Sequence, residues 1–327
     1  MSKVLWEPTY DRKKKTAMYR FMKQQGFKNY DDLYQWSINK RSLFWEELAK
    51  FCDVRFLKKQ NSTLVAGKSM LQDRWFDGAE LNFAQHLLKH SGTRPAIIFV
   101  GENDKREEIS FDELRFQVAS VAHFLKKLGL KKDDCVAAFL PNCPEAIIAM
   151  LASSSLGIIW TSCSPDFGVE GVVDRFGQIK PKLFFYSDGY YYNGKVYDSL
   201  KIAGQISNKI SSIQHEIVIP FIGKDCTNNK SSHKTYWSDI IEIDADLHFE
   251  SLPFDHPLYV LYSSGTTGSP KCIVHGAGGT LLQHLKEHIL HYDIGKDDRL
   301  FYFTTCGWMM WNWMVSGLAT GSTLVIY

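Results

Sequence analysis

Short apolar runs alternate with helix-periodic stretches along the chain from residue 94 onward. The runs are rich in β-branched and aromatic residues, which favour buried strands. They predict strands at 96–100, 135–140, 157–162, 182–187, 258–263 and 299–304, with helices at 110–127, 144–152, 169–176 and 279–291. Such alternation predicts βαβ units, and therefore an α/β fold with mostly parallel sheet layers and flanking helices.

The start of the helix predicted at 110–127 has a recognisable capping sequence. Ser110 precedes F-D-E, which places Glu113 three residues further on and predicts a capping box. Gly129 lies just beyond the predicted end of the same helix, where glycine commonly terminates helices.

Residues 1–92 differ in amino-acid composition from the remainder of the chain. They are rich in aromatic residues and favour helices joined by loops, with Asp31 and Ser42 as predicted N-caps. We therefore expect a helical N-terminal segment over 1–92 and a second domain over 93–327. Residues 224–240 are polar and irregular, which is typical of a surface loop.

Residues 308–327 form a twenty-residue stretch without a charge that contains Gly317 and Gly321 in a G-x-x-x-G spacing. Its length would suffice to cross a bilayer, and the glycine spacing would suit helix pairing there. Five interspersed Asn, Ser and Thr residues and the β-branched ending S-T-L-V-I-Y favour a different structure. We expect a buried helix, a turn and a buried strand.

The composition excludes some classes of function. Lys and Arg total 38 against 36 Asp and Glu, for a net charge of +2, so no basic surface for nucleic acid is indicated. Seven cysteines without a C-x-x-C pair predict free thiols in a reducing compartment. The N-terminus shows no apolar signal-peptide core, and we expect a cytoplasmic protein.

The stretch S-S-G-T-T-G-S-P-K at 263–271 follows a predicted strand and predicts a phosphate-binding loop. Five of its nine residues carry hydroxyls, its two glycines permit close backbone approach, and Lys271 adds a positive charge. Gly265 and Gly268 are only three residues apart, so the loop is not a Walker A sequence, nor is it a Rossmann G-x-G-x-x-G.

This loop resembles the phosphate-loop signature of the adenylate-forming enzymes, the superfamily of acyl-CoA synthetases, luciferases and peptide synthetases. Other stretches resemble the acetoacetyl-CoA synthetases of that superfamily. They are W-S (36–37), F-W (44–45), L-N-F-A (81–84), S-P-D-F-G (164–168), D-R-F-x-Q-I-x-P-K-L (174–183), H-x-A-G-G-T-L-x-Q-H-L-K-E-H (275–288) and G-W-M-M-W-N-W-M-V-S-G-L-A-T-G (307–321).

The resemblance implies a two-step ligase that uses ATP with Mg²⁺, acetoacetate and coenzyme A. Acetoacetate would attack the α-phosphate of ATP, and the thiol of coenzyme A would then displace AMP from acetoacetyl-AMP. Such an enzyme would be cytosolic and would feed ketone-body carbon into fatty-acid and lipid metabolism. An acetyl- or propionyl-CoA synthetase-like ligase is the nearest alternative.

The resemblance also assigns residues to tasks. The ATP phosphates would be bound by the loop residues Ser263, Ser264, Gly265, Thr266, Thr267, Gly268 and Lys271. An acyl pocket would include Gly307, Trp308 and Met309, although plain core packing also explains an aromatic–Met run. Arg175 would contact the nucleotide end of coenzyme A or form a surface ion pair.

A rival motif overlaps this region. His284, Glu287 and His288 form the sequence H-x-x-E-H, which is the pattern of inverted zinc peptidases. Two histidines at i and i+4 lie on the same helix face and could bind one zinc ion together. The same histidines can be polar positions of an amphipathic helix. The resemblance places this helix behind the phosphate loop, and we expect no metal site and no catalytic residue among these positions.

The adenine, ribose and catalytic-lysine motifs of the superfamily do not occur in these 327 residues. The sequence therefore favours an N-terminal portion of such a ligase that is inactive alone, or a non-catalytic product that binds a partner or phosphate. We expect S-T-L-V-I-Y at 322–327 to form an edge strand without neighbours.

Overall fold

The structure, a computed structural model, describes residues 5–224, 232–263 and 268–327. Its helices are α1 (Tyr10–Lys15), α2 (Ala17–Gln24), α3 (Tyr30–Asn39), α4 (Arg41–Phe51), α5 (Phe83–Leu87), α6 (Phe111–Lys127), α7 (Pro144–Ser155), α8 (Val169–Ile179), α9 (Leu200–Lys209), α10 (Ala277–Leu285) and α11 (Met309–Val315). A π-helical turn (Lys286–His291) follows α10, and 3₁₀ turns occupy Met70–Gln72, Trp237–Asp239 and Ser316–Thr320.

The strands are β1 (Ser62–Val65), β2 (Arg74–Asp77), β3 (Glu80–Leu81), β4 (Pro95–Val100), β5 (Arg106–Ser110), β6 (Cys135–Phe139), β7 (Ile159–Cys163), β8 (Leu183–Ser187), β9 (Gly189–Tyr192), β10 (Lys195–Asp198), β11 (His215–Ile219), β12 (Lys234–Tyr236), β13 (Leu252–Pro253), β14 (Pro257–Ser263), β15 (Lys271–Gly276), β16 (Arg299–Phe301) and β17 (Thr323–Ile326). Each strand predicted from the sequence is present within a few residues. Several others, including β5, β11 and β15, were not predicted.

A seven-stranded sheet within the described residues runs in the order β12-β11-β8-β6-β7-β14-β15. All neighbouring pairs are parallel except β14 and β15, which are antiparallel. The central strands are buried, with α7 and α8 among the covering helices, so the predicted α/β class is confirmed. Because the strands are parallel, the carboxyl ends of β6, β7 and β14 meet at one edge.

A second sheet, four-stranded within the described chain, has the order β16-β17-β4-β5. The strand at the end of the sequence, β17, pairs in parallel with β16 on one side and β4 on the other. The expectation of an edge strand without neighbours was therefore wrong. Leu324 and Ile326 are fully buried. The partners of β17 lie on both sides of it in this sheet and include residues more than 200 positions earlier in the sequence.

The capping box is confirmed. Glu113 N–H donates to Ser110 Oγ (3.1 Å), and Ser110 N–H donates to Glu113 Oε2 (2.7 Å). The other two predicted caps were wrong. Asn29 caps α3 by accepting from Asp32 N–H at 2.9 Å, and α4 begins at Arg41, where the N-cap residue Lys40 makes no side-chain capping bond.

The N-terminal segment packs onto the remainder of the chain as part of one continuous hydrophobic core. Phe76 stacks on Phe254 with ring centroids 4.7 Å apart, and β3 pairs with β13. Asn82 is fully buried and donates to the carbonyls of Ser155 (2.9 Å) and Glu250 (3.0 Å). The predicted boundary at residue 92 stays a prediction.

The apolar stretch 308–327 folds as helix α11, a 3₁₀ turn and strand β17, as expected. Across the described residues, no helix has the length and hydropathy needed to cross a membrane.

Candidate functional site

The predicted phosphate loop connects β14 to β15. Ser263 ends β14 and pairs with Lys271, the first residue of β15, so the two ends of the loop are held side by side. Ser264, Gly265, Thr266 and Thr267 lie outside the described residues. Gly268 has φ +93°, a left-handed conformation that glycine adopts at little cost, and Lys271 is exposed.

Helix α8 holds the exit of this loop. The Gln178 side-chain amide donates to the carbonyls of Pro270 (2.8 Å) and Asp174 (2.7 Å). Its Oε1 lies 3.4 Å from Cys272 Sγ, which can donate weakly. Gln178 was not predicted, because nothing in its local sequence indicates a contact with a loop 92 residues away.

Side chains extend the short pairing between β14 and β7. Thr161 Oγ1 donates to the Val260 carbonyl at 2.8 Å and lies 3.2 Å from the Tyr262 hydroxyl. Burial raises the pKa of Tyr262, so this phenol stays protonated and can donate to Thr161. The strand that leads into the phosphate loop is thus fixed to its neighbour just before the loop begins.

The segment around Gly307 crosses the carboxyl ends of β6 and β7. Ser162 Oγ donates to the Cys306 carbonyl at 2.6 Å, and Cys306 Sγ lies 2.8 Å from the Leu140 carbonyl. Burial raises the pKa of Cys306, so its thiol remains a donor. A Cβ on Gly307 would lie 3.5 Å from Ser164 N, which is ordinary contact.

The three predicted acyl-pocket residues differ in exposure. Gly307 packs against the end of β7, whereas Trp308 and Met309 are 67% and 43% exposed at the start of α11. Trp311, one turn further on, is fully buried and donates through Nε1 to Asn142 Oδ1 at 2.9 Å. Within the Trp-Met run, Trp311 is therefore buried and fixed by a hydrogen bond, whereas Trp308 and Met309 are exposed in the described chain.

A cavity of about 420 Å³ opens at this same edge. Its walls include Asn142 after β6, Ser164 and Asp166 after β7, and Thr305. Thr305 Oγ1 is buried and has no hydrogen-bond partner among the described residues, as is also true of Asn312 Oδ1. Because Thr305 lines the cavity, its hydroxyl is available to a ligand there, whereas Asn312 is not among the lining residues. A lone Asn inside W-N-W was the only sequence signal for Asn312.

Arg175 lies beside this cavity rather than in it. Its Nη1 donates to the Gly171 carbonyl at 2.6 Å, and its guanidinium lies 4.8 Å from the centroid of the Phe167 ring. Phe167 follows directly after Asp166 of the cavity wall. In the described part of the chain Arg175 forms no ion pair, so the surface ion-pair alternative finds no partner there.

The H-x-x-E-H residues are structural. His284 Nδ1 and His288 Nε2 lie 2.8 Å and 3.2 Å from Ser316 Oγ, and Glu287 accepts from Trp313 Nε1 at 2.8 Å. Burial lowers the pKa of His284 to about 3 and that of His288 to about 4. Among the described residues, no cluster of His, Cys, Asp and Glu side chains is arranged to hold a metal ion.

A parallel α/β sheet that carries a glycine- and hydroxyl-rich loop at its ligand-binding edge defines a class, that of nucleotide-phosphate-binding α/β proteins. Comparison with known families is more specific. Residues 83–327 match the family described as AMP-binding enzyme, and residues 30–87 match the acetyl-coenzyme A synthetase N-terminus. The chain belongs to the AMP-binding enzyme family.

Individual relatives agree with this assignment. The chain is 43% identical to the acetoacetyl-CoA synthetase of Macaca fascicularis, over 99% of this chain and 50% of that protein. It is 45% identical to the acetoacetyl-coenzyme A synthetase of Rhizobium meliloti, over 99% and 51%. The solved acetoacetyl-CoA synthetase from Streptomyces lividans superposes with a TM-score of 0.95 at 40% identity, over 100% and 51%.

The predicted similarity to acetoacetyl-CoA synthetases is thereby confirmed. The chain spans about half the length of these relatives.

Proposed function

We propose that this chain supplies the phosphate-binding loop and one wall of the acyl site of an AMP-forming acetoacetate–CoA ligase. The observation that supports this most directly is the β14–β15 hairpin, in which Ser263 and Lys271, the residues that flank the loop sequence, pair at the carboxyl end of β14. The relatives named acetoacetyl-CoA synthetases support the choice of acid.

The proposed reaction has two steps. A carboxylate oxygen of acetoacetate attacks the α-phosphorus of ATP, pyrophosphate leaves, and acetoacetyl-AMP forms. The sulfur of coenzyme A then attacks the acyl carbon, and AMP leaves. The leaving phosphates accumulate negative charge in the first step, so donors fixed around them lower the barrier.

Different loop residues would stabilise the leaving phosphates in different ways. Ser263, Ser264, Thr266 and Thr267 would offer hydroxyls, Gly265 and Gly268 would let backbone N–H groups approach the β- and γ-phosphates, and Lys271 would neutralise charge. Gly307, Trp308 and Met309 would bound the acyl group. Arg175 would meet the phosphates of coenzyme A.

Mg²⁺ would enter with ATP, whose phosphate oxygens are ligands it prefers. The described residues offer no cluster of His, Cys, Asp and Glu side chains for it. We therefore assign no step to a protein-held metal. The cytosolic location, the absence of nucleic-acid partners and the boundary at residue 92 belong to the same proposal.

Substrate choice is tested by ATP–pyrophosphate exchange with acetoacetate, acetate and propionate. The 327-residue chain is assayed beside a chimera in which it replaces the matching half of the Streptomyces lividans protein. Acetoacetate should give the fastest exchange in the chimera. Clear exchange with acetate and none with acetoacetate would contradict the assignment, and turnover by the 327-residue chain would contradict its expected inactivity.

The role of the loop is tested by Lys271→Ala in the chimera. Loss of one charged donor to phosphate should raise the KM for ATP or lower the exchange rate by about tenfold to a hundredfold. Lys201→Ala, an exposed lysine on α9, is the matched control and should change neither. Equal behaviour of the two variants would remove Lys271 from the site.

The acyl wall is tested by Met309→Val in the chimera, since Met309 is one of the two proposed pocket side chains that are exposed in the described chain. We expect the ratio of exchange rates for acetoacetate and propionate to change. Met70→Val, an exposed methionine of the N-terminal segment, should leave that ratio unchanged.

A further inference from the structure

A cavity of about 690 Å³ lies between the N-terminal segment and the remainder of the chain. One wall comes from α4 and from residues 73–80, and the other from β15 and α10. This volume is in the range of cavities that hold small organic ligands. Nothing assigned above to nucleotide, acid or coenzyme A uses it.

This cavity is separate from the phosphate loop. It contains Gly276, which pairs with Pro257 at the far end of the β14–β15 hairpin from Ser263 and Lys271. Strands rise by about 3.4 Å per residue, so along β15 Gly276 lies roughly 17 Å from Lys271, and Val274, the cavity residue of β15 nearest the loop, roughly 10 Å. A ligand in the cavity would therefore leave the nucleotide site free.

Aromatic surface dominates one side of the cavity. Trp45 and Trp75 meet edge to face with ring centroids 6.4 Å apart, and both are only partly buried. Lys286 Nζ lies 5.8 Å from the centroid of the Trp45 ring, so this indole already accepts one cation over its ring. Flat apolar groups and cations are the partners that such rings favour.

The charges on the walls leave one acid without a partner. Asp73 pairs with Arg41, Asp77 with Arg74, and Glu80 with Lys58, at 3.6 Å, 2.9 Å and 3.4 Å respectively. Asp255 is exposed at the rim and makes no ion pair within the described chain. Among the acids that line the cavity, Asp255 is thus the one without an ion pair in the described chain, and Lys286, which lies over Trp45, is not among the lining residues.

His275, the histidine that lines the cavity, does not offset the charge of Asp255. His275 lines the cavity and lies against the Tyr259 ring at 5.0 Å. Burial lowers the pKa of His275, so its imidazole is neutral at neutral pH. It can hydrogen-bond to a ligand but adds no positive charge.

We propose that this cavity is a binding site for a small organic cation, with a flat apolar body against Trp45 and Trp75 and a single ammonium group near Asp255. The proposal stands on the cavity, the two indoles and the unpaired carboxylate, and it does not depend on the proposed ligase activity.

Three probes of matched shape test the charge preference. Tryptamine carries the cation, tryptophol replaces the ammonium with a hydroxyl, and indole-3-acetate carries an anion. Binding to the purified 327-residue chain is measured by titration calorimetry and by saturation-transfer NMR. We expect tryptamine to bind about fivefold to tenfold more tightly than tryptophol, and indole-3-acetate to bind most weakly.

Two adjacent positions provide the variants. Gly279 lines the cavity, and a Cβ there would meet nothing within 4 Å, so Gly279→Leu should fill the space without a clash. It should weaken all three probes about tenfold or more, whereas Gly279→Ala should change them less than about twofold. Asp255→Asn should abolish the difference between tryptamine and tryptophol.

Urea unfolding of each variant establishes that the chain is folded before binding is compared. The proposal is overturned if tryptamine does not bind at millimolar concentration, or if tryptamine and tryptophol bind equally. It is equally overturned if Gly279→Leu, folded, binds tryptamine like the unaltered chain.

Discussion

Asn82 links the N-terminal segment to the end of α7 and to Glu250, and its replacement by alanine should lower stability more than the loss of an ordinary helix cap. Its Oδ1 accepts from Gln85 N–H at 3.2 Å and caps α5, while its Nδ2 donates to the Glu250 carbonyl at 3.0 Å. Its side chain is fully buried. The Asn82 side chain therefore both caps α5 and bonds to Glu250.

The two losses can be separated in magnitude. Removing an N-cap costs about 1 kcal/mol. The carbonyls of Ser154 and Ser155 keep backbone donors in Gly157 and Glu250, so Asn82→Ala leaves only the Glu250 carbonyl without a partner. An unsatisfied buried carbonyl costs about 1–3 kcal/mol, and Glu250 is only partly buried, which favours the lower end. We expect a total of about 2–3 kcal/mol.

Asn29→Ala is the matched control, because Asn29 caps α3 in the same way but is exposed. The free energy of unfolding is measured in urea by far-UV circular dichroism and tryptophan fluorescence, with the slope compared between variants. Asn82→Ala should lose at least about 1 kcal/mol more than Asn29→Ala, by the sum above. Equal losses would show that the contact with Glu250 contributes nothing.

Three further predictions concern single positions. Gly278→Ala should destabilise the chain because its Cβ would lie 2.2 Å from Phe254 Cδ2, whereas Gly279→Ala has open space and should stabilise α10 by up to about 1 kcal/mol in urea unfolding. Burial lowers the pKa of His86 to about 4, so the unfolded chain binds more protons below pH 6.5, and stability should fall from there towards pH 4. His86→Gln should reduce this slope, and the buried His284 and His288 account for part of what remains. In the chimera, Gln178→Ala should raise the KM for ATP about fivefold because the loop exit loses its hydrogen bond to α8, and an unchanged KM would show that the amide does not position the loop.

Local signals were readable from the sequence, and pairings over long distances were not. Ser110 and Glu113 lie three residues apart, so their capping box could be predicted, and the structure confirms it. Strand β15 was missed because its residues are largely exposed and a glycine cluster follows, so that only its pairing with β14 defines it. The neighbours of β17 were missed because its pairing with β4 joins residues more than 200 positions apart in the sequence.

The candidate site shows the same division. The loop was recognisable because hydroxyls, glycines and Lys271 are contiguous in sequence. Asn142 and Thr305 are far apart in sequence and meet only at the cavity, and Gln178 reaches the loop exit only because α8 packs beside it. No contiguous pattern marks such residues, and their contribution could be found only from the fold.

The way the loop ends in a strand constrains how it can bind phosphate. In a Walker A loop the chain passes directly into a helix, and the helix N-terminus adds its dipole to the phosphate site. Here Lys271 starts β15, and α10 begins only after Gly276, at the opposite end of that strand. No dipole from α10 reaches the loop, since such effects decline within the first turn. If the proposed function holds, phosphate binding would then depend on the loop's own N–H groups, its hydroxyls and the charge of Lys271, without a contribution from the start of α10.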